Sequence, residues 1–155
     1  MESKKLYVTL CNYLALLTYG LCLTIVSPAV IPIQRYFDVA EGDLGIALTL
    51  QFAGFTAAVL LAGYIVDRFN LKVLSLTGQL LMTAGLILAG ATILPALQTF
   101  FLAATGLFLI GFGGGLLEIS TNTSISEAYV EKRGSALNLL HMMFGVGALL
   151  GPFIS

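Results

Sequence analysis

The chain of 155 residues is 58% hydrophobic, and only 10% of it is Asp, Glu, Lys or Arg. Soluble globular domains carry about 25% charged residues and leave much of their surface in water, so this composition excludes most soluble enzymes. The net charge of −1 argues against a nucleic-acid partner, because a nucleic-acid binder needs a basic face. We therefore expect the chain to lie in a lipid bilayer, where about 20 apolar residues form one helical span.

Charged and turn-forming residues divide the chain into five apolar segments. Each segment is long enough for a helix to cross about 30 Å of hydrocarbon. Pro28 and Pro32 predict a break near the far end of the first segment, because proline interrupts helical hydrogen bonding. The predicted fold is an all-α membrane protein with one partial transmembrane bundle, whose spans cover residues 6–33, 44–66, 71–94, 99–126 and 134–155.

The basic residues are distributed unequally between the two sides of the predicted bundle. Positive residues are retained in the cytoplasm, so their count sets the orientation. Only Arg35 falls on the predicted external side. The chain is expected to be a multi-pass protein of the plasma (inner) membrane with a cytoplasmic N-terminus, since six basic residues share that side: Lys4, Lys5, Arg68, Lys72, Lys132 and Arg133.

Apart from Lys72 at the start of the third span, Glu118 is the only formally charged residue inside a predicted span. An ionisable group at that depth costs at least a few kcal/mol, so it must face protein or water, and it indicates a functional site. Such a carboxyl could carry a proton or bind a solute. The structural alternative is a protonated Glu118 that hydrogen-bonds a neighbouring helix. Asn122 lies one turn further on and shares its face.

The only histidine, His141, lies in the next span. Glu118 lies eight residues before Ser126 and His141 lies eight residues after Arg133, which puts both at a depth of about 12 Å from the predicted cytoplasmic end. They could form a proton relay, or His141 could be a neutral residue hydrogen-bonded within the bundle. Asn138 shares the His141 face, and Gln51 adds an amide from the second span. Such groups would suit a neutral solute rich in hydroxyl or amide groups.

Sequence motifs for other chemistry are missing from the chain. It has no GxxxxGK[ST] loop for ATP phosphates, no nucleophile elbow and no HExxH zinc motif. One Glu and one His fall short of the three or four ligands that zinc requires. We therefore expect neither enzymatic activity nor a metal or other cofactor.

The connection after the second span resembles the signature of the major facilitator superfamily, Gly-x-x-x-Asp-Arg-x-Gly-Arg-Lys or Arg. Asn70 and Leu71 depart from the Gly-Arg pair of that signature. The resemblance implies a cytoplasmic gate that contacts the other half of a transporter. The matching residues are Gly63, Asp67, Arg68 and Lys72.

Two further motifs resemble the same superfamily. Gly147, Gly151 and Pro152 are similar to the Gly-x-x-x-Gly-Pro motif of the fifth helix, in which glycines form a packing groove and proline a bend. Leu117-Glu118-x-x-x-Asn122 is similar to the fourth helix of the fucose:proton symporter branch. In that branch the Glu contacts sugar and takes part in proton coupling.

The resemblance implies the N-terminal part of a secondary transporter that works by alternating access. The favoured solute is sugar-like, and Glu118 would couple its uptake to protons. The implied partners are a small-molecule solute, protons, the bilayer and a missing C-terminal half. A drug or metabolite exporter of the same superfamily is the first alternative. The second is a non-transporting membrane scaffold that packs against partner helices through its glycines.

Overall fold

The computed structural model describes residues 2–25, 28, 30–66, 68–92, 94–97 and 99–154. Short 3-10 turns lie at Pro95–Leu97 and Gly151–Phe153. The α-helices of the described chain are α1 (Glu2–Thr24), α2 (Val30–Phe37), α3 (Glu41–Ile65), α4 (Leu71–Ala91), α5 (Phe100–Ala128) and α6 (Arg133–Leu150).

Within these described residues, five helices are long and apolar enough to cross a membrane. They are α1, α3, α4, α5 and α6, the last continuing into its 3-10 turn to Phe153. The predicted fold class, an all-α membrane protein with five spans, is confirmed. Helices suit this environment because they satisfy all their interior backbone hydrogen bonds within one segment.

The first predicted span differs from the structure at its far end. We expected one interrupted segment over residues 6–33, whereas α1 ends at Thr24 and the separate helix α2 begins at Val30. Pro28 lies between them, where the sequence predicts a break because proline interrupts helical hydrogen bonding. Pro32 is accepted inside α2 because it lies in the first turn, where backbone N–H groups have no intrahelical partner.

The centre of the bundle is α5. In its apolar stretch 56% of the residues are buried, compared with 22% in the corresponding stretches of α4 and α6. Helices α3 and α4 pack along α5 on two sides, and α1 contacts it on a third. Helix α6 packs mainly along α1. Residues on α5 are therefore the ones best placed to meet side chains from several other helices.

Glycines bring the helix backbones into close contact. A Cβ atom added at Gly111 of α5 would overlap the backbone carbonyl of Gln51 on α3. One added at Gly147 of α6 would overlap the carbonyl of Leu17 on α1, and one at Gly151 would overlap the Thr24 hydroxyl. Small residues have this effect in membranes because they let two backbones approach until their surfaces touch.

Candidate functional site

Glu118 lies half-buried on α5, with a glycine one turn before it and an amide one turn after it. Gly114, Glu118 and Asn122 are spaced by four residues and therefore share one helix face. Two titratable side chains from other helices interact electrostatically with the Glu118 carboxyl: Tyr19 of α1 and His141 of α6. The intramembrane carboxyl is thus a point at which three helices meet.

Tyr19 also belongs to an aromatic cluster with Phe55 and Phe144. The rings of Tyr19 and Phe55 are nearly parallel, at 10°, with centroids 6.2 Å apart. Phe144 is tilted by 50° against Tyr19 at 5.4 Å. Tyr19 is only 2% exposed, whereas Phe55 and Phe144 are half-buried. The cluster joins α1, α3 and α6 through their side chains.

His141 lies in the wall of a cleft of about 650 Å³ between α5 and α6. Its side chain is exposed to this cleft, and the Oδ1 atom of Asn122 is buried there without a hydrogen-bond partner among the described residues. Through this cleft, polar groups near Glu118 can be reached from the end of the bundle at which α6 begins. Its lining consists of Asn122, Thr123, Ser126, Glu127, Val130, Arg133, Leu137 and His141.

The other two amides in the predicted set lie apart from this group. Asn138 is exposed on α6 and does not contribute to the lining of the α5–α6 cleft. Gln51 is 2% exposed, and its Nε2 atom has no partner within the described part of the chain. Its backbone meets Gly111, which lies two helical turns, or about 10 Å, before Glu118. The structure thus brings together Glu118, Asn122 and His141.

The residues of the predicted gate are mostly exposed at the α3–α4 connection. An added Cβ at Gly63 would meet no atom within 4 Å, so this glycine packs against no described helix. The guanidinium of Arg68 lies 4.3 Å from the centroid of the Tyr64 ring. Asp67 lies outside the described residues.

Asn70 and Lys72 form the start of α4. The backbone N–H of Lys72 donates a hydrogen bond of 2.9 Å to the Asn70 side-chain oxygen. Asn70 is therefore the N-cap of the helix, a position that favours asparagine because its side chain accepts from an otherwise unpaired amide. The Lys72 side chain lies in the rim of a second cleft.

This second cleft, of about 720 Å³, separates α1 from α4. Its floor contains Asn12, whose amide donates to the Val8 carbonyl at 2.8 Å and to the Ser124 hydroxyl at 3.1 Å. The buried amide is thus already satisfied within the bundle. Glu118 does not line this cleft, so we locate the candidate site at Glu118 and the α5–α6 cleft.

The aromatic cluster is the part of the site that the predicted residue set omits. Tyr19 is visible in the sequence as a polar residue in an apolar span, but Phe55 and Phe144 are ordinary apolar residues of such spans. No spacing along the chain connects the three rings, because each belongs to a different helix. Among the described residues, no group of three or more His, Cys, Asp or Glu could hold a metal ion.

Comparison with known proteins gives one family. The family profile described as Major Facilitator Superfamily matches residues 13–155. The chain is similar to the uncharacterized MFS-type transporter YfiU of Bacillus subtilis (strain 168), at 32% identity over 132 residues. It is also similar to Protein spinster homolog 1 of Bos taurus, at 27% over 147 residues, and to the glucose/mannose transporter GlcP of Bacillus subtilis (strain 168), at 29% over 124 residues.

These alignments cover 84%, 94% and 76% of the chain but only 24%, 26% and 28% of the respective relatives. The chain therefore spans about a quarter of the length of the curated relatives that it matches. No solved structure gives a significant match.

Proposed function

Because the chain belongs to the Major Facilitator Superfamily, whose profile matches residues 13–155, we propose that it forms part of a secondary active transporter. The family assignment confirms the resemblance inferred from the motifs, and it supports membrane transport rather than enzymatic activity. In the proposed transporter, the chain supplies five helices of the N-terminal bundle. Its N-terminus is cytoplasmic, and the membrane is the plasma (inner) membrane.

The proposed mechanism is alternating access, which requires two helix bundles that rock about a site near the middle of the membrane. Five spans supply less than one such bundle. The partner of this chain is then the C-terminal half of the transporter, and Gly63, Asp67, Arg68 and Lys72 belong to the cytoplasmic gate between the halves. The open space beside Gly63 supports a partner that approaches from outside the described bundle.

The proposed substrate is a small organic solute of sugar-like chemistry. Solute sites combine apolar and aromatic walls with a few polar groups that fix orientation. Glu118 and Asn122 provide a carboxyl and an amide on one helix face, and the half-buried Phe55 provides an aromatic surface. One similar protein is named as a glucose/mannose transporter, which supports a solute of this class.

An exporter of drugs or metabolites is the second candidate. The observation that favours it is the aromatic cluster, because the half-buried rings of Phe55 and Phe144 around Tyr19 provide apolar surface within the bundle. An amphiphile could bury its apolar part there. A screen of solutes by thermal shift on the full-length transporter would separate the two candidates: sugars stabilise a sugar transporter, and apolar amphiphiles stabilise an exporter.

The proposal of proton coupling rests on one observation, the position of Glu118. Its carboxyl is half-buried within a membrane-spanning helix, and His141 lies within electrostatic range of it. His141 also lines the α5–α6 cleft, through which water could reach the pair. Glu118 would hold the proton, His141 would relay it to the cleft, and Asn122 would bind the solute beside them.

The test is Glu118→Gln in the full-length transporter reconstituted in vesicles. Glutamine keeps the shape and hydrogen-bonding capacity of the side chain but cannot release a proton. We expect solute exchange without a pH gradient to continue, whereas uphill uptake driven by a pH gradient is lost. Glu131→Gln, which neutralises an exposed carboxylate in the α5–α6 connection, is the matched control and should transport normally.

Uphill uptake that survives Glu118→Gln would contradict the role of Glu118 in coupling. If the unmodified full-length protein exchanges no solute across the whole screen, the scaffold hypothesis replaces transport.

A further inference from the structure

We propose that Tyr19 is the positioning residue of Glu118, and that its hydroxyl donates a hydrogen bond to the carboxylate when Glu118 has released its proton. The proposal rests on the proposed role of Glu118 in proton coupling. It concerns a residue of α1, a helix to which the sequence motifs assign no part of the site.

The first observation is where the end of the Tyr19 ring lies. A Cβ atom added at Gly114 would overlap the Cε2 and Cζ atoms of Tyr19. The third nearest atom is Cδ2, so the edge of the ring from Cδ2 to Cζ, the atom that carries the hydroxyl, lies against Gly114. Only glycine leaves room there for the ring. The absence of a side chain at Gly114 thus admits the phenol to the surface of α5, one helical turn before Glu118.

The second observation concerns the direction of the Glu118 side chain. Side chains on an α-helix point back toward its N-terminus and cover the preceding turn. On α5, the turn that precedes Glu118 contains Gly114. The carboxyl of Glu118 and the hydroxyl end of Tyr19 therefore approach the same patch of α5 from two directions. Their electrostatic interaction agrees with this geometry.

The third observation is that the ring of Tyr19 is held in place. Phe55 stacks on it from α3 and Phe144 packs against it from α6, and the residue is only 2% exposed. A ring enclosed in this way cannot swing out to the solute. Tyr19 therefore acts on transport through Glu118 and not through direct contact with substrate.

When Glu118 has lost its proton, the half-buried carboxylate needs hydrogen-bond donors, because an unpaired buried charge is costly. Of the described titratable and charged groups, Tyr19 faces it from α1 and His141 from α6. Phe55 of α3 and Met82 of α4, which belong to the hydrophobic core around Tyr19, are uncharged. His141 is exposed in the cleft, whereas Tyr19 is fixed, so Tyr19 is the constant donor.

The direct test measures the protonation of Glu118 without measuring transport. Dicyclohexylcarbodiimide reacts with protonated carboxyl groups, so its incorporation at Glu118, followed by peptide mass spectrometry across a pH series, gives the midpoint of protonation. In the full-length protein with Tyr19→Phe, we expect this midpoint to rise by about one pH unit, because one hydrogen bond to a charged group is lost. The phenylalanine ring keeps the aromatic packing.

Tyr13→Phe is the matched control. It also removes a hydroxyl from α1, one that donates to the Ala136 carbonyl of α6 at 3.3 Å, and it should leave the midpoint unchanged. An unchanged midpoint in Tyr19→Phe, with solute exchange intact, would overturn the positioning role. The outcome is separate from those that test the proposed function: uphill uptake in Glu118→Gln tests coupling, and solute exchange by the unmodified protein tests transport.

Discussion

Asn70 shows how one residue can depart from a family motif for a local structural reason. The family signature has glycine at this position, whereas here the asparagine side chain accepts the Lys72 N–H and begins α4. An N-cap satisfies one of the backbone N–H groups that the first turn of a helix leaves unpaired. The residue therefore preserves the helix start, although the motif is altered.

At the same scale, we expect Asn70→Ala to lower the free energy of unfolding by about 1 kcal/mol, since alanine cannot accept the Lys72 N–H. Asn70→Gly restores the family residue and should cost only a few tenths of a kcal/mol. The measurement is the denaturation of the full-length protein in mild detergent. Equal losses in the two variants would argue that the side-chain cap is not what stabilises the start of α4.

At the scale of helices, the packing interface between α1 and α6, called the seam below, depends on small residues on both helices. Gly147 and Gly151 of α6 face the backbone of α1, while Gly20 of α1 faces the carbonyl of Phe144 on α6. The Thr24 hydroxyl donates to the Ala148 carbonyl at 2.9 Å and so ties the far end of this seam. Because α6 packs mainly on α1, this seam is the principal attachment of α6 to the bundle. It also places His141 relative to Glu118.

The corresponding prediction compares two glycines of one helix. Gly147→Ala places a methyl group against the Leu17 carbonyl and should destabilise the full-length protein by about 1–3 kcal/mol, as overpacking does. Gly145→Ala adds the same group where an added Cβ meets no atom within 4 Å, so its effect should stay within about 0.5 kcal/mol. Melting temperatures in detergent provide the comparison, and a Gly147→Ala variant as stable as Gly145→Ala would contradict it.

For the whole molecule, the arrangement of charge predicts how the bundle is inserted. Lys5 lies over the Tyr129 ring, 4.0 Å from its centroid, and the Tyr129 and Thr9 hydroxyls are 3.0 Å apart. The start of α1 and the basic α5–α6 connection are therefore at the same end of the bundle. This contact groups Lys4, Lys5, Lys132 and Arg133 on the side predicted to be cytoplasmic.

The orientation can be tested with a membrane-impermeant maleimide on intact cells. In a full-length background with Cys11 and Cys22 replaced by alanine, Glu41→Cys at the start of α3 should be labelled from outside. Glu131→Cys, in the α5–α6 connection, should be labelled only after permeabilisation. Both native side chains are exposed at the ends of their helices, so accessibility is matched. The reverse pattern would invert the predicted topology.

The sequence alone was enough to identify the five spans, the family and the intramembrane carboxyl, because partition into a bilayer acts on each segment according to its own composition. The regular rise of a helix also put Glu118 and His141 at one depth. The separate helix α2 was not predicted, since two prolines mark a break without fixing where the chain becomes helical again.

The surroundings of Glu118 were decided only by the tertiary structure. The Tyr19 ring packs against α5 because Gly114 leaves space there, and Phe55 and Phe144 hold the ring from two other helices. Which face a membrane helix turns toward its neighbours depends on contacts between residues far apart in the chain. Composition and spacing describe one segment at a time, so they could place the charge in the membrane but not select the groups that surround it.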